Sequence, residues 1–449
     1  MRPEPPFLLP DSPVESLDAW KALGGCTGLA RAQQLGPAQT IKEIGLAGLR
    51  GRGGGGFPTG RKWSGVRAAG SPGDRKFVVA NGAEGEPATF KDRAIMRANP
   101  YQIVEGLAVA AFVIGAEAAF IGVKGTFTRE IDRLTAALVD MQQAGVAGDI
   151  PITIVPGPEE YLFGEEKAML EVIEGNAPMP RLYPPYEHGL YANGRDSSNP
   201  TLVNNVETLA NVPHILREGA EWYRSLGAED SPGHAVATVV GDVVSPGVSE
   251  LELGIPLRNA IDAIGGGVPT GRSVNAVFSG IANPVLTADK LDTPLTYEDM
   301  AAAGSGLGAL GFAVYDDQTC IVELARAFSQ FLYVESCNQC PACKFGSGEI
   351  TAYLQRIERG GGSEFDIEVI GARLRTVTDG NRCYLPVQEQ AVVSSLLRSF
   401  PEEFAAHLEG ATCPRPGSVV VPLLVDINDG GAVYDEHRMF KRPDWTYPT

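Results

Sequence analysis

Residues 76–80 (KFVVA) form a short unbroken apolar run between Asp74 and Asn81, the pattern of a buried strand. Residues 92–114 then carry apolar positions at helical spacing. A second apolar run follows at 118–123, an amphipathic helical stretch at 129–144, and a third strand at 152–155 between Pro151 and Pro156. Strand, helix, strand, helix, strand predicts a parallel sheet with helices on its faces. Before this unit, residues 1–75 are rich in Gly and Pro, with one predicted helix at 40–49. After it, residues 157–205 are crowded with Pro, Gly, Tyr and Asn and are expected to form a long functional loop. Helical spacing resumes at 207–226.

From about residue 231 the runs shorten. Strands are predicted at 235–241, 248–253 and 274–278, with a helix at 257–264, which makes a small α+β module. The glycine-rich stretch 305–311 (SGLGALG) marks a hinge or boundary. Helices follow at 319–334, 345–359, 365–377 and 386–410. Residues 413–449 are Pro-rich and mixed in charge, and their last part is expected to be loosely held. The predicted units are therefore 1–230, 231–304, 305–412 and a tail at 413–449.

A chain of 449 residues exceeds one core. With 44% hydrophobic and 20% charged residues it has the composition of a soluble globular protein. The net charge of −18 argues against nucleic acid as a partner, because phosphate binding needs a basic face. Solubility is the preferred reading of this acidity over a basic docking partner. The longest apolar stretch, 103–123, is broken by Glu105, Gly106, Gly115 and Glu117, so it predicts a buried helix running into a strand and no direct membrane insertion. Residues 1–11 contain one basic residue, Arg2, and no signal-peptide core. A cytoplasmic location is expected. There thiols stay reduced, and clustered cysteines bind metal in preference to forming disulfides.

Four of the seven cysteines make a three-plus-one pattern: Cys337-Asn-Gln-Cys340-Pro-Ala-Cys343, then Cys383. Three thiolates at three-residue steps with a distant fourth are the usual ligand set of a 4Fe–4S cluster. A structural zinc ion is the alternative, although its sites more often use two separated Cys pairs. Cys26, Cys320 and Cys413 stand outside the pattern and are expected to be buried, inert thiols.

The stretch 51–60 (GRGGGGFPTG) holds six glycines in ten residues. Such a backbone carries no Cβ atoms to keep a planar ligand or a phosphate at a distance, and Arg52, Arg61 and Lys62 add positive charge. A flexible linker is the alternative, but Phe57, Pro58 and Trp63 set the stretch apart from Gly/Ser linkers. It is not a Walker phosphate loop, since Trp63 stands where a hydroxyl should follow Lys62. Asn81-Gly-Ala-Glu84-Gly-Glu86 follows the first predicted strand, and Gly164-Glu165-Glu166 follows the third. Ligands of open α/β sheets bind beyond the carboxyl ends of strands, where such groups can hold ribose or ribityl hydroxyls.

Taken together, residues 48–63, 81–93, 164–166, 203–213 and 335–346, with Cys383, resemble the NADH-binding flavoprotein subunit of respiratory complex I and its relatives in NAD-linked hydrogenases and formate dehydrogenases. The resemblance runs from about residue 44 to 410. It implies an α/β fold: a Rossmann-like flavin domain with a parallel sheet, a small ubiquitin-like module, and a C-terminal helical bundle carrying one 4Fe–4S cluster. It implies FMN contacts at Gly51, Gly53, Lys62, Asn81, Glu84, Gly164, Glu165, Asn204 and Asn205. Phe57, Glu86 and Glu166 are expected to face NAD(H), and Cys337, Cys340, Cys343 and Cys383 to hold the cluster. The implied role is an NADH dehydrogenase-type subunit that passes electrons to other subunits of a redox complex, including a 2Fe–2S thioredoxin-like chain. No side chain need act as a general acid or base.

Four positions depart from the family pattern. Ala83 replaces an acid on the flavin side, and Gly65 stands where an aromatic ring commonly stacks. Tyr183 replaces a lysine that approaches the dinucleotide, and Tyr186 replaces a phenylalanine. A second reading therefore keeps the flavin and cluster and omits the nicotinamide, leaving an electron relay between partner subunits. A third is a zinc-bearing scaffold.

Overall fold

The computed structural model describes residues 6–193, 197–428 and 430–448. Its first sheet has four parallel strands, β1 (Phe77–Asn81), β2 (Ala118–Lys124), β3 (Ile152–Gly157) and β4 (Thr201–Asn205), in the order β3-β2-β1-β4. Strand β4 lies inside the expected loop 157–205. Its five residues, TLVNN, include only two large apolar side chains and end in two asparagines, too little for a period to show. The same stretch holds a 3₁₀ turn, Tyr161–Gly164, and a helix, Glu166–Ile173, capped by the Glu165 side chain.

The predicted helix 92–114 is two helices, Lys91–Ala98 and Pro100–Ile114. The break falls at Asn99, because the residue before a proline is pushed out of the α region. Pro100–Ile114 is buried along almost its whole length, as the apolar stretch predicts. Among the described residues no helix is long and apolar enough to cross a membrane. Residues 6–75 form four short helices, Leu17–Ala22, Gly28–Leu35, Pro37–Ala47 and Thr59–Ala68, where the sequence pattern predicts one. Buried Glu105 ties the first two to the core, accepting the Trp20 indole N–H at 2.8 Å and the backbone N–H of Gly28 at 2.6 Å.

The second sheet contains β5 (His234–Gly241), β6 (Gly247–Glu252), β7 (Val274–Ser279), β8 (Leu286–Thr287) and β9 (Gly311–Asp316), in the order β6-β5-β9-β7-β8. Only β5 and β9 run parallel. With helix Leu257–Gly265 packed beside β5, this is the expected ubiquitin-like arrangement. The central strand β9 lies beyond the predicted boundary at 305, so the module extends to residue 316. The glycines of 305–311 form an internal turn into β9 and do not separate two units.

Helices Ile321–Glu335, Pro341–Glu358, Glu364–Thr376, Leu385–Ser399 and Pro401–Leu408 make the bundle. The predicted helix 386–410 breaks before Pro401, whose ring cannot continue a helix from the preceding turn. The tail is held more firmly than its composition suggests. Strands β10 (Leu424–Asn428) and β11 (Gly431–Tyr434) pair as a hairpin. Buried Glu335 bonds Lys441 at 2.9 Å and also pairs with Arg438. The Pro422 carbonyl accepts the N–H of Ala88, and the Val425 carbonyl accepts from Arg93 at 2.6 Å. Charges that look solvated in the sequence are partners of buried charges elsewhere.

Candidate flavin and iron–sulfur site

Register pairing sets Asn81, the last residue of β1, beside Asn205, the last residue of β4. The loop after β1, the 3₁₀ turn after β3 and the helix after β4 therefore converge at the carboxyl end of the sheet. They enclose a cavity of about 590 Å³ lined by Gly53, Gly54, Gly55, Asn81, Glu84, Glu86, Gly164, Glu165, Asn205 and Cys383. Ser279, Asn283 and Gly308 of the ubiquitin-like module complete the wall. A volume of this size is typical of a cofactor site.

The glycine loop is closed at its base. Gly51 donates its N–H to the Phe57 carbonyl at 2.9 Å, and the Arg50 side chain donates to the Gly56 carbonyl at 2.7 Å. Arg52 anchors the loop instead of supplying charge to the cavity. It is fully buried and donates to the Tyr223 hydroxyl and to the carbonyls of Pro232 and His234. A Cβ on Gly54 or Gly55 would project into open space, whereas one on Gly53 would lie 3.1 Å from the Asn205 side chain. The open space in front of Gly54 and Gly55 is a cradle that side chains would fill, and it suits a planar or phosphorylated cofactor such as FMN.

The acids of the cavity are tightly held. Glu84 accepts the backbone N–H groups of Asp92 and Arg93, each at 3.2 Å, at the start of helix Lys91–Ala98. Burial, with Asp92 close by, pushes its carboxyl up to about 7. Glu165 accepts from the N–H groups of Lys167 and Ala168, and burial likewise lifts it to about 7. Glu86 accepts the N–H of Ile281 at 2.6 Å and is bonded by the Tyr161 hydroxyl, and burial raises it as well. Asn81 donates to the Gly164 carbonyl at 2.7 Å, linking the two acidic motifs.

A charge cluster lies beneath these groups that the sequence motifs do not reveal. Buried Lys91 lies 2.6 Å from Asp92, 2.9 Å from Glu207 and 3.1 Å from the Asn205 side-chain oxygen. Its signal is the run Lys91-Asp92-Arg93 directly after the acidic motif, where alternating charges resemble a solvated helix start. Tyr161 is likewise hidden, inside the stretch expected to be loop.

Five expected residues lie outside the cavity lining. Buried Asn204 accepts the Trp63 indole N–H at 2.8 Å, and the Gly51 carbonyl accepts the Tyr297 hydroxyl at 3.0 Å. Lys62 and Glu166 form an ion pair at 3.1 Å, and Phe57 is half-exposed. Beside them on the same helix as Lys62, Gly65 faces open space. Tyr183 and Tyr186 are both more than half exposed.

The four cysteines gather at two helix starts. Cys340 caps helix Pro341–Glu358, and Cys343 lies in its first turn. Asn338, at φ 66°, turns the chain between Cys337 and Cys340. Cys383 precedes helix Leu385–Ser399 by two residues. Burial lifts Cys343 to about 11 and Cys383 to about 12, with the neighbouring cysteines adding to both. These sulfurs therefore need a compensating cation to ionise. Among the described residues no three of the four bring their sulfurs within 4.8 Å of one another. A single zinc ion, with Zn–S near 2.3 Å, would draw them to about 3.8 Å.

One cavity bounded by a Cβ-free loop and by a cysteine of a four-cysteine set defines a flavin- and iron–sulfur-bearing electron-transfer subunit of a multi-subunit oxidoreductase. Residues 44–214 match the family model of the Nuo51 FMN-binding domain. Residues 323–407 match that of the NADH-ubiquinone oxidoreductase-F iron–sulfur binding region. The chain belongs to the family of NADH-quinone oxidoreductase F subunits. It is 39% identical over 411 residues to the F 2 subunit of the NADH-quinone oxidoreductase of Rhizobium meliloti (strain 1021), covering 89% of this chain and 96% of that one. It is 35% identical to the HndC subunit of the NADP-reducing hydrogenase of Solidesulfovibrio fructosivorans, covering 89% and 82%. Among solved structures it resembles NAD+-reducing NiFe-hydrogenase in the H2-reduced state, with a TM-score of 0.79 at 31% identity, over 90% of this chain and 67% of that chain.

Proposed function

We propose that this subunit takes electrons from NADH at FMN bound in the glycine-loop cavity and passes them through a 4Fe–4S cluster on Cys337, Cys340, Cys343 and Cys383 to a partner chain. FMN exchanges two-electron for one-electron chemistry, and a 4Fe–4S cluster carries one electron at a time. The observation that carries the proposal is the position of Cys383, which lines the same cavity as Gly53 and Asn81. Flavin site and cluster site then share a wall, and no further carrier is needed between them.

The side chains of this chain bind and orient. Gly53–Gly55 admit the cofactor, while Asn81, Glu84, Glu165 and Asn205 offer hydrogen-bonding groups for its hydroxyls. Lys62 and Glu166, with Phe57, mark the exposed side on which a dinucleotide would enter. On the far side, Cys337 lines a second, more open cavity with Met179, Phe345 and Trp445. Phe345 is 71% exposed, so apolar surface lies beside a cluster ligand. This face supports docking of another protein chain, for which a 2Fe–2S thioredoxin-like chain is our specific choice. Among the described residues no disulfide joins any of the seven cysteines, and a cytoplasmic setting, where thiols stay reduced, is part of this reading.

The nicotinamide-free relay is favoured by one specific observation, the open space at Gly65 beside the Lys62–Glu166 pair. Anaerobic titration with NADH decides between the two, read as loss of flavin absorbance followed by the cluster's electron paramagnetic resonance signal. Reduction of both supports the proposal. A flavin that dithionite reduces and NADH does not would establish the relay.

A further inference from the structure

We propose that Cys320, His407 and Cys413 form a second metal site, separate from the 4Fe–4S cluster, that takes a single zinc ion and fastens the C-terminal tail to the helical bundle. The three residues come from distant points of the bundle. Cys320 caps helix Ile321–Glu335, His407 lies in the last turn of helix Pro401–Leu408, and Cys413 opens the tail. All three are buried, and their ligand atoms lie within 4.8 Å of one another.

The geometry is that of a metal pocket. The Nε2 atom of His407 lies 3.4 Å from the Cys320 sulfur and 3.6 Å from the Cys413 sulfur. A tetrahedral zinc ion, about 2.3 Å from sulfur and 2.0–2.1 Å from nitrogen, sets these atoms about 3.5 Å apart. A neutral imidazole has one lone pair and can accept from only one of the two thiols, so without a metal the second thiol must bond the first sulfur. The other ring nitrogen, Nδ1, lies 2.9 Å from the Glu403 carbonyl. An Nδ1–H donated there leaves Nε2 as the free donor atom, the supporting arrangement usual for a metal-ligating histidine.

Two soft sulfurs and one imidazole nitrogen select zinc over magnesium or calcium. Among the described residues no fourth ligand atom joins the group, so a water molecule completes the tetrahedron. Glu403 lies one turn before His407 on the same helix, and its backbone carbonyl is the one that faces Nδ1. Its carboxylate accepts the N–H of Ile321, which starts the helix that Cys320 caps. The site has a mechanical consequence. Beyond Cys413 the chain runs back to the flavin domain, where Pro422 meets Ala88. A metal clip at Cys413 fixes the start of that return path. On binding, each thiol gives up its proton to solvent, and no redox change occurs.

The test uses the intact holoprotein, purified without added metal. Elemental analysis should give about one zinc per chain in addition to the iron of the cluster. Zinc-edge X-ray absorption should show two sulfur neighbours at about 2.3 Å. Cys413→Ser and His407→Ala should each lose the zinc while keeping wild-type iron and flavin. Cys383→Ser should lose iron and keep the zinc. Should the variants fail to fold, the absorption spectrum of the wild-type protein still decides. Absence of stoichiometric zinc, a Cys320–Cys413 disulfide in the purified protein, or zinc with four sulfur neighbours would each overturn the assignment.

Discussion

The carboxylate of Glu86 accepts the backbone N–H of Ile281 at 2.6 Å, which bonds the acidic motif after β1 directly to the loop after β7. The same carboxylate is bonded by Tyr161, and Gln388 of the bundle donates to the Tyr161 hydroxyl at 2.6 Å. One side chain therefore ties together the flavin domain, the ubiquitin-like module and the helical bundle at the cavity wall. Glu86→Ala leaves a buried N–H and a buried hydroxyl without an acceptor, at a cost of about 2–4 kcal/mol. Glu86→Gln keeps a carbonyl oxygen for Ile281 and should unfold within about 1 kcal/mol of wild type. Thermal unfolding of both variants checks this. Equal destabilisation would show that the negative charge, and not the hydrogen-bond acceptor, holds the three units together.

Gly55 offers a cleaner test of the cofactor cradle than Gly53. A side chain at Gly53 meets Asn205, so its loss of function mixes cofactor exclusion with local strain. A Cβ at Gly55 meets no protein atom within 4 Å, and Gly55 lines the cavity. Gly55→Leu should leave flavin-free stability within about 0.5 kcal/mol of wild type, as for other substitutions that meet no protein atom. It should abolish the flavin absorbance of the purified protein. Full flavin content in this variant would remove the loop from the site.

For the cluster, iron and sulfide analysis should return about four of each per chain. Cys383→Ser should lower both, because it removes a ligand. Cys26→Ser should change neither, since Cys26 lies among the N-terminal helices, where its backbone N–H is bonded to Glu105. Similar iron loss in both variants would sink the ligand assignment.

These sites are unequally legible in the sequence. Motifs whose chemistry is local, such as the six glycines of 51–60 and the Cys337–Cys343 spacing, announce themselves. Strands β1 to β3 do so as well, because each is a sustained apolar run. Strand β4 does not, since Leu202 and Val203 are its only large apolar residues. The role of Arg52 is also hidden. Its charge looks like a phosphate ligand beside glycines, and only the fold reveals Tyr223 and His234 around it. Cys320, His407 and Cys413 share no motif spacing, and it takes the bundle to bring them together.

The buried acids give the protein a pH dependence of defined sign. Glu389 is buried, is bonded by the Ser329 hydroxyl at 2.6 Å, and is lifted by burial from the ordinary 4.5 to about 8. Its other oxygen has no partner, as suits a protonated acid. A carboxyl with a raised folded pKa holds its proton longer in the native state than in the unfolded one. Its stabilising effect is therefore complete below about 4.5 and is lost as pH rises toward 8. Glu84 and Glu165 act in the same direction up to about 7. Wild-type melting temperature should fall between pH 5.5 and pH 8. Glu389→Gln should match wild type at the lower pH and exceed it at the higher one by on the order of 1 kcal/mol or more. Parallel curves for the two proteins would show that Glu389 does not titrate in this range.

Gly65, Tyr183 and Tyr186 make the electron donor the point that most needs a direct test. Glu166 pairs with Lys62 at 3.1 Å on the exposed side of the site. A carboxylate there accepts hydrogen bonds from free ribose hydroxyls and repels a 2′-phosphate, so NADH should reduce the protein faster than NADPH. Glu166→Ala should narrow that preference. Affinity for either nucleotide should be modest. Gly65 leaves open space where a stacking ring is missing, which forfeits about 1 kcal/mol. Tyr183 replaces a cation, which forfeits a further ~1–2 kcal/mol. Together these amount to roughly thirty- to a hundredfold in binding. Gly65→Phe should recover about fivefold in the KM for NADH, and Tyr183→Lys about five- to thirtyfold, with little change in kcat because neither touches the reacting atoms. Stopped-flow reduction of the bound flavin by each nucleotide measures all of these. Tight, fast reduction of wild type by NADH would mean that Tyr183 and Tyr186 stack on the nucleotide themselves. Faster reduction by NADPH would overturn the role of Glu166, and reduction by neither would leave the protein as a relay between its partners.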